Sequence, residues 1–311
     1  MKKAISYIIS KLYVIYYVAH GYIRHYIRNA DLKTVFLTLS IFSSGIFFTI
    51  THLASAALSG NDALSDGLNH LNNGNSAAAY VAFKSANEIF KEEKNTRGVF
   101  VTSKHLGDID YDQQKYTKSL THYDTALRFA QFLKYDQAQI AILRKHADVK
   151  LKLNRVNAAR AHYLDAVKIS QDMNSPENEG IMFTLIGNLE RNIDNDRRAL
   201  FAYRNALKAY EGNSGLKGEA SLYWNYATLQ TKTEDYDDAI VSFTSARDLY
   251  RRDNDTLNEA TITKHMARLE VKRGLNDSAT SLYNEAAILY ASIGKTQELD
   301  ALKIEVDKIH L

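Results

Sequence analysis

The sequence contains no cysteine and a single proline, Pro176. The missing cysteines exclude a disulfide framework, a thiolate metal site and a thiol nucleophile. They leave the compartment open, because a cysteine-free chain is at home in either redox environment. The familiar catalytic signatures are also absent. There is no HExxH helix for zinc, no GxGxxG or GxxxxGK[ST] loop for phosphates, and no GxSxG elbow for a serine nucleophile. These absences argue against an enzyme. Acidic residues are nearly missing from one end. Residues 1–59 carry six Lys or Arg (Lys2, Lys3, Lys11, Arg24, Arg28, Lys33) and one acid, Asp31, whereas the rest of the chain carries 33 bases and 35 acids. A basic head on a near-neutral body suits membrane targeting and not nucleic-acid binding.

The 311 residues are enough for two average domains or one long repeat array. Hydrophobic residues make up 45% and charged residues 24%, so the chain is neither disordered nor wholly membrane-embedded.

Residues 34–58, "TVFLTLSIFSSGIFFTITHLASAAL", hold no charge. As a helix they would extend about 38 Å, which exceeds the roughly 30 Å hydrocarbon core of a bilayer. We therefore expect a transmembrane segment. All the flanking bases precede it, which places the N-terminus in the cytoplasm and the body outside, at an inner or plasma membrane. The alternative is a secretory signal cleaved near Ala56, after the small residues Ala54 to Ala56. The length of the apolar run and of the 33-residue head favours a retained anchor. Residues 1–33 are basic and tyrosine-rich. Ile5, Ile8, Leu12, Ile15, Ala19, Tyr22 and Tyr26 fall three or four apart, as in an interfacial amphipathic helix. A second short span is the competing reading.

From residue 60 onward the chain repeats. Positions 79, 119, 159, 199, 239 and 279 are Ala, Ser, Ala, Ala, Ala, Ala. Four residues on stand Phe83, Tyr123, Tyr163, Tyr203, Phe243 and Tyr283, and three further on Ala86, Ala126, Ala166, Ala206, Ala246 and Ala286. Twelve residues before the first set stand Gly67, Gly107, Ala147, Gly187, Ala227 and Ala267. Small, aromatic and Ala at i, i+4 and i+7 share one helical face. The Gly/Ala position sits in a preceding helix, where a small residue lets the two helices approach closely. One helix pair cannot bury such a face, but a stack of pairs can.

This pattern resembles the tetratricopeptide repeat (TPR) family. The small residue of helix A and the Ala, aromatic and Ala of helix B fall at the family's spacing of twelve, four and three. The resemblance covers residues 60–299 as six repeats and implies an all-α, right-handed solenoid. It departs from the family in its 40-residue period, in the largely unfilled Trp and Tyr positions of helix A, and in the missing proline at each repeat end. Breaks between repeats are expected at "EEKNTRG", "DMNSPEN", "EGNSGLKG" and "RRDNDTL". Residues 296–310 place Leu299, Leu302, Val306 and Ile309 on one face of a capping helix, whose end is residues 300–311.

His122 and His162 share a column in adjacent repeats and could approach each other, and two surface or packing histidines are expected there, not a metal site. Tyr210, Tyr250 and Tyr290 read as packing residues. The family resemblance implies that the fifth, ninth, twelfth and thirteenth positions of helix A line a concave groove. Carried over, these positions hold eight bases (Lys104, Arg144, Lys152, Arg191, Lys232, Lys264, Arg268, Lys272) and three acids (Asp108, Asp112, Asp148), with Trp224 among the bases of the last three repeats. Lys104 with Asp108 and Arg144 with Asp148 stand at i, i+4 and can satisfy each other. The bases of the last three repeats have no acid among these positions. The family's chaperone-binding carboxylate clamp is not reproduced, because its Lys and Asn fall here as Lys104 and Asp108.

The expected function is a membrane-anchored scaffold that binds a protein or an acidic peptide outside the cytoplasm. That would support assembly of an envelope, secretion or polysaccharide-export complex. The partner-binding residues would be Arg191, Trp224, Lys232, Lys264, Arg268, Lys272, Lys104 and Arg144. The alternative is a sensor whose solenoid changes curvature on binding a peptide or small ligand. No cofactor, catalytic residue, metal or nucleic acid is expected, and a homo-oligomer is left open.

Overall fold

The computed structural model describes residues 59–212 and 218–307. The proposed anchor at 34–58, the basic head at 1–33, and Ile309 lie outside these residues. Thirteen α-helices are described: α1 (Gly60–Asn72), α2 (Ser76–Glu92), α3 (Thr96–Asp112), α4 (Tyr116–Phe132), α5 (Asp136–Lys152), α6 (Val156–Asp172), α7 (Pro176–Asn192), α8 (Asp196–Tyr210), α9 (Glu219–Lys232), α10 (Tyr236–Arg252), α11 (Thr256–Lys272), α12 (Asn276–Ser292) and α13 (Thr296–Asp307). No strand and no helix long and apolar enough to cross a membrane occurs among the described residues. The chain divides into two compact units at Ile109/Asp110, inside α3.

The backbone has a shorter period than the side chains. Most helices run 17 residues and are joined by three-residue turns. Each turn closes the same way. After α1 the N–H of Asn75 donates to the carbonyl of His70 at 2.8 Å, and that of Gly74 to Leu71 at 3.0 Å. This pair of bonds is a Schellman motif, and it satisfies carbonyls that the helix end would otherwise leave open. The left-handed residue it requires recurs every 20 positions, at Gly74, Lys94, Gln114, Lys134, Asn154, Asn174, Asp194, Glu234, Asn254, Gly274 and Gly294. Only three of these are glycine. The 40-residue repeat is therefore two helices of equal length. Helix A begins one turn earlier than the family's counting places it, at Thr96, Asp136, Pro176 and Thr256. The breaks are correspondingly shorter than expected. Within "EEKNTRG", for example, only Glu93 to Asn95 leave the helix, and Thr96 already starts α3. The longer connection is 211–218, between α8 and α9.

In the unit that ends at Ile109, Ala79, Phe83, Leu106 and Ile109 form the core. A Cβ on Gly67 would lie 2.6 Å from the Phe83 ring, so the two helices meet there without one. The Asn87 side chain, itself buried, donates to Thr102 Oγ1 at 2.6 Å and Ser103 Oγ at 3.1 Å, satisfying polar groups within the packed layer. A capping box at Ser59 and Asp62 opens α1.

In the unit that begins at Asp110, the predicted columns form the core. Tyr123, Tyr163, Tyr203, Phe243 and Tyr283 are at most 2% exposed, and the flanking alanines and Ser119 are fully buried. A Cβ on Gly187 would fall 2.4 Å from the Tyr203 ring, and one on Gly180 the same distance from Tyr210. Tyr210 and Tyr290 are buried and Tyr250 is half-buried, so this column packs as expected. Leu302 of α13 joins the cluster of Ala279, Tyr283, Ala286 and Tyr290 and closes the end of the stack.

Candidate functional site

The exposed side of the A helices α5, α7, α9 and α11 carries most of the predicted groove residues. Two kinds of contact organise it. The first ties the ninth helix-A position to the core aromatic of the same repeat. The Tyr163 hydroxyl donates to Asp148 Oδ1 at 2.9 Å, and the Tyr203 hydroxyl to Asn188 Oδ1 at 2.7 Å. The expected Arg144–Asp148 pair does not form, because Tyr163 captures the carboxylate. Arg144 is exposed and makes no ion pair among the described residues. Burial raises the Asp148 pKa, and the Tyr163 hydrogen bond opposes the shift. Burial and the nearby Asp148 charge push the Tyr163 hydroxyl up.

The second kind of contact links neighbouring A helices. Arg191 Nη1 on α7 donates to Asn225 Oδ1 on α9 at 3.0 Å. The half-buried Trp224 meets the His265 ring on α11 edge-on, with centroids 5.5 Å apart. His265 also stacks on Phe243. Burial, with Arg268 and Lys264 beside it, lowers its pKa to about 4, so it is neutral at pH 7. Lys264 Nζ sits 5.5 Å from the Tyr290 ring centroid, within cation–π range.

Among the bases of the last three repeats, Lys232 and Arg268 are neutralised by acids that the four counted positions do not include. Lys232 pairs with Asp194, in the turn before α8, at 3.1 Å and with Asp196, the first residue of α8, at 2.9 Å. Arg268 grips Glu305 of α13 through Nε at 2.7 Å and Nη2 at 2.5 Å, and the Tyr283 hydroxyl donates to the same carboxylate at 3.0 Å. The Arg268 hydrogen bond holds the Glu305 carboxyl below its ordinary pKa. Both sets of acids lie outside the four helix-A positions counted in the sequence. Lys272 is exposed, without an ion-pair partner among the described residues. In the other unit Lys104 does pair with Asp108, at 3.2 Å.

His162 does not meet His122. It packs on His146 of α5, with ring centroids 4.9 Å apart, while His122 Nε2 lies 3.5 Å from Asp110. His146 is buried between the Tyr123 and His162 rings, and Asp124 stands 3.2 Å away. Burial lowers its pKa to about 4. No cluster of three or more metal-ligating side chains occurs among the described residues. A cleft of about 530 Å³ opens between α8 and α9. Arg204, Lys208, Glu211 and Glu219 share its lining, so its charges balance.

Helix pairs stacked on small, aromatic and alanine columns define a helical-repeat protein. The chain carries tetratricopeptide repeats: a tetratricopeptide-repeat model matches residues 99–172. A model described as "Soluble NSF attachment protein, SNAP" matches residues 150–301. No curated protein matches the sequence significantly. Among solved structures, the chain is similar to aspartyl phosphate phosphatase F from Bacillus subtilis (13% identity, 91% of this chain and 76% of that one, TM-score 0.57). It is similar to the apo form of RapI (13% identity, 81% and 98%, TM-score 0.56). It also resembles a signal-transduction ATPase from Pyrococcus horikoshii described as having a tetratricopeptide repeat sensor (13% identity, 81% and 41%, TM-score 0.56). At these identities the likeness is one of fold.

Proposed function

We propose that the chain is a non-catalytic scaffold that holds a protein or peptide on the helix-A side of α7, α9 and α11. The observation that carries this reading is Trp224. It is the chain's one tryptophan, it is half-buried on that side, and it stands between the Arg191–Asn225 bond and the His265–Lys264 pair. An amphipathic ring with fixed donors around it is the composition of an interface anchor. Arg191 and Lys272 keep charge that no acid in the described residues neutralises, which favours an acidic partner. The Arg268–Glu305 pair ends the row of bases and sets the limit of the surface.

The uncharged run at 34–58 and the basic residues before it support anchoring in a membrane with the repeats outside the cytoplasm. In that position the scaffold would serve an envelope, secretion or export assembly. A phosphatase reporter fused after Leu311 would be active in that topology, and activity of a cytoplasm-only reporter there would overturn it. A second reading, a sensor that responds to a peptide or small ligand, is favoured by the resemblance to a fold described as a repeat sensor.

The test of the scaffold reading is co-purification with mass spectrometry. The parent should bring down a stable partner, and Trp224→Ala and Arg191→Glu should each lose it. Retention of the partner by both variants would exclude this face. Recovery of a bound small molecule with no protein would favour the sensor.

A further inference from the structure

The B helix α8 has a solvent-facing side unlike that of its neighbours. Its sequence, "DRRALFAYRNALKAY", places Arg197, Phe201, Arg204 and Lys208 at intervals of four, three and four, which is one helical face, with Arg198 at its edge. All four bases are exposed and none has an ion-pair partner among the described residues, although Arg204 and Lys208 also border the α8–α9 cleft that Glu211 and Glu219 line. Asp196, the helix's one acid, is already engaged by Lys232. Elsewhere the arginines of the described repeats are mostly spent. Arg160 pairs with Glu190, Arg247 with Glu285, Arg251 with Glu259 and Glu285, and Arg273 with Glu270 and Asp237. In the midst of the unspent charges stands Phe201, 67% exposed. The equivalent positions are Val81 in α2, Thr121 in α4, Ala161 in α6, Val241 in α10 and Ser281 in α12; the two valines are as exposed as Phe201, so what sets α8 apart is an aromatic at this position with bases around it. A lone exposed hydrophobic needs no explanation, but an aromatic ringed by four unpaired bases is a concentrated field around an apolar anchor.

The flanking B helices decide what fits. At the equivalent positions the outward side of α6 presents Leu164 and Lys168, with Asp165 beside them, and that of α10 presents Asp237 and Asp248, which pair with Arg273 and Arg251, with the exposed Asp238 beside them. A broad anionic surface such as a bilayer would meet these acids. A narrow acidic segment lying along α8 alone would not. We infer that the Arg197–Phe201–Arg204–Lys208 face of α8 is a docking surface for an acidic amphipathic helix of a partner protein, with an apolar side chain of that helix set against Phe201. This surface is separate from the Trp224 side.

The full-length protein can be titrated at low salt with a labelled synthetic peptide of about five helical turns, bearing leucines on one stripe and glutamates elsewhere. A glutamine version of the peptide is the control. We expect binding of the glutamate peptide alone, weakened by added salt. Arg197→Glu/Arg204→Glu should weaken it about tenfold or more, which corresponds to about 1.4 kcal/mol. Phe201→Ala should weaken it several-fold, and Trp224→Ala should leave it unchanged. The Arg197→Glu/Arg204→Glu and Phe201→Ala variants should melt like the parent, because those side chains are exposed, and circular dichroism checks that Trp224→Ala, which removes a half-buried ring packed on the core, stays folded at the assay temperature. Equal binding by the parent and the charge-reversed variant would overturn the inference. So would loss of binding in Trp224→Ala, which would place the peptide on the other side. Capture of the parent by phosphatidylglycerol vesicles, with no binding of the peptide, would assign the face to a membrane and overturn the partner named here.

Discussion

The Tyr203 hydroxyl donates to Asn188 across 2.7 Å, and fifteen residues separate the two. Tyr163 and Asp148 repeat the relationship at 2.9 Å. The last repeat substitutes Arg268 at the equivalent position, and there Tyr283 donates to Glu305, which Arg268 holds. In the repeat of α10 the aromatic is Phe243 and the matching position is Thr228, so no hydroxyl is left to satisfy. The choice between Tyr and Phe in the core is thus linked to a polar position on the helix-A face.

Tyr163→Phe should destabilise the protein by about 1–3 kcal/mol, because Asp148 loses the donor that offsets its partial burial. Adding Asp148→Leu should restore much of the loss. Chemical denaturation midpoints of the single and double variants check this. Additive losses in the double variant would break the proposed link.

The alanine columns admit nothing larger. Ala206 is fully buried against Tyr203 and Leu222 in the same cluster. Ala206→Leu should lower stability by about 1–3 kcal/mol through overpacking. An unchanged melting curve would mean that the packing described here does not exist in solution.

The turns are not optimal. Lys134 and Glu234 hold left-handed backbone angles that cost a non-glycine residue about 1–2 kcal/mol. Replacing either with glycine should stabilise by up to about 1 kcal/mol, after the entropic cost of glycine is subtracted. Lys134→Gly and Glu234→Gly should therefore raise the urea midpoint. A lowered midpoint for both would show that the side chains matter more than the angle.

Stability should fall as the solution is acidified from about pH 7 toward pH 5, around the unperturbed histidine pKa of about 6.5. His146 and His265 are buried neutral, with pKa values lowered to about 4, so the unfolded chain binds more protons across this window. Their stabilising effect is complete above the unfolded-state pKa and is lost progressively below it. The carboxylate Glu305, whose pKa is lowered, acts only at lower pH. Replacing both histidines with phenylalanine should flatten the midpoint between about pH 7 and 5. An unaltered slope in that variant would assign the dependence to other groups.

Much of the fold was legible because buried packing constrains side-chain size. The Ala, aromatic and Ala columns, and the Gly67 and Gly187 positions facing Phe83 and Tyr203, must stay small or flat at every repeat. The turns were not legible, since the Schellman motif asks for a backbone angle and this chain mostly supplies it with Lys, Gln, Asn, Asp and Glu instead of glycine. Without glycine, "DQQKY" and "LKYDQ" look like any polar helix surface. Several helices also start without a side-chain cap, as before Tyr116, Asp136 and Asn276. The groove was half legible. Its positions follow from the repeat, but the partners of Lys232 and Arg268 come from a turn and from the capping helix, outside the columns being counted. Glu305 carried no signal until α13 was placed beside α11.

The partner's position tests the central claim most directly. A photo-crosslinking amino acid can be placed at the exposed Thr228 or at Thr184, on the helix-A side, and at Ser281 on the B side of α12. The account predicts one discrete adduct, shared by positions 228 and 184, absent from 281, and lost when Trp224 is replaced by alanine. No adduct from positions 228 and 184, in a protein that still co-purifies with its partner, would contradict it.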